Sequence, residues 1–116
     1  MKKKNTIKKK DEITQIIKAK NYINAATLAF YHYLKKEEES RVGITVTNKL
    51  GNAVERNRAK RQLREMVNMI FDWQEDFDTV IIIRENFKDH SFIENKKELE
   101  CCYKKVKIES EGQGKS

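Results

Sequence analysis

The alternation of apolar and polar residues along the chain predicts regular elements in the order α-β-β-α-β-α. Isoleucines recur at helical spacing near the start and predict a first helix over 11–19. Two later segments, 27–34 and 41–47, alternate with the two-residue period of a strand. The charged stretch KKEEES between them is typical of a hairpin loop. The first half of the chain is therefore expected to form one helix and a pair of strands.

A long helix is predicted to begin after Gly51 and to run to about residue 73. Asn52 is a favourable N-cap, because its side-chain oxygen can accept a hydrogen bond from a backbone N–H of the first turn. At about 100° per residue, the apolar side chains of this segment fall on one stripe. The stripe consists of Ala59, Leu63, Met66, Val67, Ile70 and Trp73. We expect this side of the helix to be buried and the opposite side to face solvent.

The remaining elements follow from an apolar run and a capping signal. The segment TVIIIR (79–84) is continuously apolar over the length of a strand, which is typical of a central strand covered on both faces. Ser91 and Glu94 have the spacing of a capping box, and the apolar residues after them predict a last helix.

These elements predict an α+β fold, a single-domain α/β sandwich with helices packed on a sheet of three or four strands. The strand at 41–47, the long helix and the strand at 79–84 form a βαβ crossover, for which the general rule predicts a right hand. Residues 1–10 are expected to be a flexible basic arm, residues 11–108 the folded domain and residues 109–116 a disordered tail.

Positive charge is concentrated on the long helix. The chain has a formal net charge of +7 and a pI of about 9.4, as expected of a nucleic-acid binder, although basic membrane-surface proteins share it. Five cations fall within residues 56–64: Arg56, Arg58, Lys60, Arg61 and Arg64. Like charges one turn apart repel, and only Glu55 and Glu65 flank them. The pattern favours contact with a polyanion over the alternative of a solvated charged face.

The neighbouring strand favours single-stranded RNA as that polyanion. A helix-turn-helix DNA reader needs a helix before its recognition helix, whereas a strand precedes the long helix here, so DNA is not expected. The strand at 27–34 carries aromatic rings on which unpaired bases can stack. Leu28 and Phe30 share one face of it, for which core packing is the alternative, and Tyr31 lies on the opposite face as the better stacking candidate.

Several other classes of protein are not expected. Cys101 and Cys102 are adjacent, a spacing that suits neither a disulfide framework nor zinc, and both are interpreted as reduced helix residues. The one acidic cluster, around 72–78, is interpreted as a polar loop, so neither a metal site nor a self-sufficient active site is predicted. No apolar run approaches the roughly 18 residues of a membrane span, and no secretion signal is evident. A cytoplasmic protein without a membrane partner is expected.

The segments RVGITVTNKLGNAV and GNAVERNRAKRQLRE resemble the signature of the bacterial ribonuclease P protein family, with its Arg-Asn-Arg element at Arg56, Asn57 and Arg58. The resemblance extends over about residues 7–108. It implies a sandwich whose βαβ crossover is left-handed. It also implies that the partner is the catalytic RNA of ribonuclease P, which removes the 5′ leader of precursor tRNA with the help of Mg²⁺. The protein alone would then be non-catalytic.

By this resemblance two sets of residues would contact RNA. Those expected to bind the catalytic RNA are Lys49, Arg56, Asn57, Arg58 and Arg61. Those expected to line a cleft for the single-stranded leader are Ile13, Ile17, Leu28, Tyr31, Lys60 and Arg64. Ile13 and Ile17 stand where the family often has phenylalanine, and Lys20 stands where it often has glycine. The alternative is a sandwich-fold, ribosomal-type binder of structured RNA without a leader cleft. Leader binding requires Tyr31, Lys60 and Arg64 on one concave surface.

Overall fold

The computed structural model describes the backbone of residues 1–114 and the side chains of residues 1–108, and it confirms the predicted α/β sandwich. The helices are α1 (Lys10–Lys18), α2 (Ala53–Ile70) and α3 (Phe92–Gly114). The strands are β1 (Tyr22–Asn24), β2 (Leu28–Leu34), β3 (Val42–Val46) and β4 (Phe77–Ile83). Short 3-10 turns occupy Lys3–Asn5, Asn48–Leu50 and Glu85–Asp89. Of the tail predicted at 109–116, the backbone continues α3 as far as Gly114, and the last two residues lie outside the described residues.

The four strands form one sheet in the order β1-β2-β4-β3. β2 is antiparallel to both β1 and β4, and β3 is parallel to β4, so β3, α2 and β4 form the predicted βαβ crossover. The left hand implied for this crossover stays a prediction. β4 is buried along nearly its whole length, which confirms the interpretation of the apolar run as a central strand.

Apolar side chains cover both faces of the sheet, but unequally. The larger core lies between the sheet and the two long helices α2 and α3. Its members include Leu28, Phe30, Ile81, Ile83, Leu63, Met66, Val67, Leu99, Val106 and Phe87. On the other face α1 covers a smaller cluster, in which Ile7, Ile16 and Val80 are buried. We call this second side the α1 face of the sheet.

The first residues of the chain pack on the edge of β3, so the flexible arm predicted for 1–10 is wrong for residues 3–7. Asn5 is 1% exposed and donates from its side-chain nitrogen to the carbonyl oxygen of Ser40 at 3.0 Å. Thr6 pairs with Val42 in a β-bridge, and the N–H of Ile7 donates to the Val42 carbonyl at 3.0 Å. Burial of the Ile7 side chain and hydrogen bonding to the edge of β3 both favour this docked conformation. Together they outweigh the mutual repulsion of the surrounding lysines, because the side chain and the strand edge would otherwise be exposed to water.

α2 ends at Ile70 and does not reach residue 73 as predicted. A carboxylate accounts for the early end. The N–H of Asp72 donates to Glu75 Oε2 at 3.1 Å, and Trp73 adopts a left-handed conformation with φ of 67°. Glu75 is 3% exposed, which contradicts its assignment to a polar loop. Burial raises the pKa of Glu75, even though its carboxylate accepts hydrogen bonds from donors on three segments.

A buried ion pair holds α1 against the sheet. β4 begins at Phe77, earlier than predicted, so Asp78 lies within the strand and is 1% exposed. The guanidinium of Arg41 donates to Asp78 Oδ2 at 3.0 Å and to Glu12 Oε2 of α1 at 2.6 Å. The backbone N–H of Arg41 also donates to Asp78 Oδ1, at 2.9 Å. Asp78 therefore anchors Arg41, and Arg41 in turn fixes the position of α1.

Candidate nucleic-acid interface

A capping box fixes the start of α2. The N–H of Glu55 donates to Asn52 Oδ1 at 2.9 Å, and the N–H of Asn52 donates to Glu55 Oε1 at 3.2 Å, which confirms Asn52 as the N-cap. The hydrogen bond from the Asn52 N–H to its carboxylate, together with Lys88, lowers the pKa of Glu55. Gly51 has φ of 155°, and a Cβ at this position would collide with the Glu55 carboxylate. Gly51 and Asn52 therefore determine the residue at which α2 begins. The start of the helix in turn determines which of its side chains face solvent.

The cations of α2 form a ridge on the side of the helix away from the core. Ala59, Leu63 and Met66 are buried against the sheet, as the apolar stripe predicts. We call the five cations opposite and beside this stripe the α2 ridge: Arg56, Arg58, Lys60, Arg61 and Arg64. Arg58, Arg61 and Arg64 are exposed, whereas Arg56 and Lys60 are partly buried. Asn57, between the first two arginines, is exposed as well.

The α2 ridge is not neutralised by the protein. Within the part of the chain whose side chains are described, none of its five cations takes part in an ion pair. One of them is hydrogen-bonded, since Arg56 Nη1 donates to Asn48 Oδ1 at 2.6 Å. Cations elsewhere in the same part of the chain do find carboxylates, for example Lys88 with Glu55 and Lys107 with Asp72. A passive charged face would be expected to carry such partners, so the ridge favours an external anion.

Lys49 is exposed in the 3-10 turn that precedes α2. It borders a groove of about 350 Å³ that is also lined by Thr47, Arg84 and Asn86. Arg84 was not among the sequence-predicted residues. Its guanidinium donates to the side chain of Asn24, while its Nε has no hydrogen-bond partner among the described side chains and backbone. The available signal was a single basic residue at the end of the apolar run TVIIIR.

The α1 face brings together three of the residues predicted for a leader cleft. Ile13 and Ile17 of α1 and Tyr31 of β2 are partly buried against the same cluster. Tyr31 also stacks on Tyr22 of β1, with ring centroids 5.0 Å apart and an interplanar angle of 28°. Tyr22 was missed from the sequence because β1 has only three residues, too few for an alternating pattern to be recognised.

Leu28 is not part of this surface, so its assignment to the cleft is wrong. Its side chain is 0% exposed in the larger core, together with Phe30. Successive residues of a strand point to opposite faces, and three positions separate Leu28 from Tyr31. The two side chains therefore lie on opposite sides of the sheet.

Lys60 and Arg64 lie one turn apart on α2, which packs on the face of the sheet opposite to Tyr31. Among the residues with described side chains, no hydrogen bond, ion pair or ring contact joins either cation to Tyr31. The sequence-predicted cleft is thus divided between an apolar and aromatic part on the α1 face and a cationic part on α2.

Along the residues that the structure describes, no three His, Cys, Asp or Glu side chains come together in a group that could hold a metal ion. Cys101 and Cys102 are free cysteines on α3, one exposed and one buried. Within the same residues, no helix combines the length and the apolar character needed to cross a membrane.

The fold, with its cationic helix after a parallel strand, is that of the ribonuclease P protein class. A solved Staphylococcus aureus RNase P protein superposes with a TM-score of 0.77 at 30% identity, covering 90% of this chain and 96% of that one. The RNase P protein from Thermotoga maritima gives 0.69 at 25% identity, over 81% and 90% of the two chains.

Sequence comparison leads to the same class. The ribonuclease P protein component of Bacillus velezensis is 36% identical over 93% of this chain and 94% of its own length. That of Mesoplasma florum is 39% identical over 85% and 92%. The family model described as Ribonuclease P matches residues 1–107. The chain belongs to the ribonuclease P protein family.

Proposed function

We propose that this chain is the protein subunit of a ribonuclease P holoenzyme in the cytoplasm, in which it binds the catalytic RNA through the α2 ridge. The observation that carries the proposal is the unpaired charge of that ridge in a chain of this family. Arginine's planar guanidinium binds phosphate oxygens in a bidentate manner and stacks on bases. In this proposal Arg56, Asn57, Arg58 and Arg61 face the catalytic RNA, and Lys49 contacts it from the preceding turn.

The α1 face would hold the single-stranded 5′ leader of precursor tRNA. Ile13 and Ile17 offer apolar contact, and Tyr31 contributes an aromatic ring. Lys60 and Arg64 lie on the other side of β3, which is the edge strand under α2. A leader that crosses the edge of β3 could place its bases on the α1 face and its phosphates against these two cations.

The scissile chemistry is assigned to the RNA, and the protein supplies affinity and position. Mg²⁺, held mainly by the catalytic RNA and the substrate, would stabilise the charge that develops during phosphodiester cleavage. The described acidic side chains offer no grouped ligand set for this ion, so we assign no step to a metal bound by the protein. The holoenzyme would remove the leader endonucleolytically and leave the mature tRNA 5′ end.

Cleavage of precursor tRNA at low Mg²⁺ concentration tests the proposal. A bacterial ribonuclease P RNA from a matching organism would be assayed with and without this protein, next to the protein alone. We expect the protein to restore cleavage at the mature 5′ end and to show no cleavage by itself.

Tight RNA binding without restored cleavage would favour the alternative, a ribosomal-type binder of structured RNA that lacks a leader cleft. The separation of Lys60 and Arg64 from Tyr31 is the observation in favour of that alternative. A mature tRNA without a leader, used as a competitor, separates the two functions. A leader-binding subunit should make the holoenzyme prefer the precursor, whereas a purely structural binder should not.

A further inference from the structure

Tyr22 presents the more exposed ring of the tyrosine pair on the α1 face. Tyr22 and Tyr31 are cross-strand partners, and the same row continues through Val80 to Gly43. The distance of 5.0 Å between the two ring centroids is close to the spacing of neighbouring strands. The two rings therefore stand side by side across the gap between β1 and β2, with Tyr22 on the outer strand of the sheet.

Tyr31 is enclosed from two sides. Tyr22 covers it from β1, and the cluster of Ile7, Ile16 and Val80 contacts it from the other direction. Tyr22, by contrast, is 48% exposed, and Tyr31 is its ring partner. β1 is the outer strand of the sheet that the described residues form, so no other strand of that sheet lies beyond Tyr22. The face of this pair that is open to a ligand belongs to Tyr22.

Polar and cationic groups flank this open ring. Tyr22 borders a groove of about 580 Å³ at the outer edge of the sheet, which extends to Phe77 and Val106 of the larger core and is also lined by Lys20 and Asp76. Lys18 and Lys20 are both exposed, and neither takes part in an ion pair within the part of the chain whose side chains are described. An exposed aromatic ring that shares a groove with a cation matches the recurring chemistry of single-stranded nucleic-acid binding, in which a base stacks and phosphates nearby are neutralised.

We propose that Tyr22 stacks on one base of the single-stranded leader, with Tyr31 as the ring that supports it from behind. This inference rests on the proposed function and adds a specificity-determining residue to it. The Tyr22–Tyr31 pair then extends the leader path from α1 to the outer edge of the sheet at β1. Base stacking tolerates any sequence, because every base has a π face, so the contact would select an unpaired base at a fixed position and not a particular nucleotide.

The test compares affinities of the reconstituted holoenzyme for precursor tRNA and for the same tRNA without a leader. For the wild type we expect tighter binding of the precursor. Tyr22→Ala should lower affinity for the precursor roughly five- to 150-fold, the range of one base–aromatic stack, and leave binding of leaderless tRNA unchanged. Tyr22→Phe should behave as the wild type, since it keeps the ring.

Ile93→Ala is the control, because Ile93 is a large apolar side chain that is 65% exposed on α3 and borders neither of the two grooves described above. It should leave the precursor preference intact. Single abasic sites placed along the leader then locate the contact. One site should weaken binding to the wild type and have no further effect on Tyr22→Ala.

The outcomes separate the two levels of the proposal. A wild-type holoenzyme without preference for the precursor would contradict the proposed function itself. A wild type that prefers the precursor, with Tyr22→Ala equal to it, would overturn only the role of Tyr22. An equal loss in Ile93→Ala would also overturn it, since removing any exposed apolar side chain would then have the same effect. Tyr22→Phe serves as the control for misfolding. If Tyr22→Ala loses affinity for the precursor and Tyr22→Phe does not, the loss is due to the missing aromatic ring.

Discussion

Replacing the buried Asp78 by alanine should destabilise the protein more than replacing Glu12, the partly exposed carboxylate of the same ion cluster. The Asp78 side chain is 2% exposed and that of Arg41 10% exposed. Asp78→Ala removes the acceptors of both the guanidinium and the backbone N–H of Arg41, and it leaves the buried charge with Glu12 alone. Breaking a buried pair in this way costs about 3–5 kcal/mol. That is a large fraction of the roughly 5–15 kcal/mol by which a domain is stable.

Glu12→Ala is the comparison within the same cluster. The Glu12 side chain is 21% exposed at the rim of the cluster, so water can replace part of its contact with Arg41. We expect a cost of about 0.2–1 kcal/mol, the range of solvent-exposed pairs. The hydrogen bond from Arg41 lowers the pKa of Glu12 below its ordinary value of 4.5. This contribution to stability is therefore fully present above pH 4.5 and is lost as the pH falls through the lowered pKa.

Urea unfolding measures both changes, with the fluorescence of the single tryptophan, Trp73, and far-ultraviolet circular dichroism as independent probes. The midpoint should shift strongly for Asp78→Ala and slightly for Glu12→Ala. If Asp78→Ala lowers the free energy of unfolding no more than Glu12→Ala does, the buried carboxylate is not the main stabilising member of the cluster. That result would refute the prediction. Adding Arg41→Met to Asp78→Ala should recover part of the loss, because no buried charge is then left without a partner.

Three further predictions concern RNA affinity, the turn after α1 and the thiols. Arg58→Ala should weaken binding of the catalytic RNA and reduce by about one the slope of log affinity against log salt; a wild-type affinity that is independent of salt would contradict an electrostatic interface. Lys20→Gly should raise the free energy of unfolding by about 1 kcal/mol, because Lys20 occupies a left-handed position with φ of 60° that glycine adopts without strain; an unchanged urea midpoint would count against this. Burial raises the pKa of the Cys102 thiol to about 11, so a thiol reagent at pH 8 should label the exposed Cys101 in the folded protein and both cysteines in urea. Cys101→Ser should abolish labelling of the folded form, and rapid labelling of both native thiols would contradict the burial of Cys102.

The elements that the sequence predicted correctly are those with a local signal. Asn52 and Glu55, three residues apart, specify the start of α2, and the apolar stripe specifies which side of it is buried. The apolar run before Arg84 identified the central strand. Each of these depends on residues within one turn or one strand, so neighbouring positions carry the whole pattern.

The elements that were missed depend on partners far along the chain. Asn5 is buried because it meets Ser40, 35 positions away, and nothing within the lysine-rich start of the chain indicates this contact. The end of α2 depends on Glu75, whose other hydrogen-bond donors are Ser40 and Tyr103. A sequence read segment by segment contains no trace of such pairings.

The candidate site shows where a resemblance and a physical pattern disagree. Alternation along β2 places Leu28 with Phe30, away from Tyr31, whereas the resemblance placed Leu28 beside Tyr31 in the cleft. The structure agrees with the alternation, because the strand period applies to every residue of β2. No alternating pattern in the sequence identified Tyr22, because β1 is only three residues long. Its position became clear only from its pairing with Tyr31 on the neighbouring strand.

The docking of the first residues on β3 has a consequence for how copies of the protein behave when they are crowded. β3 is an edge strand, and an open edge can add a strand from another molecule and so start aggregation. Asn5 and Ile7 occupy the carbonyls of Ser40 and Val42 at this edge. By covering part of this edge with its own residues 5–7, the chain leaves less of β3 open to pairing with a strand of another copy.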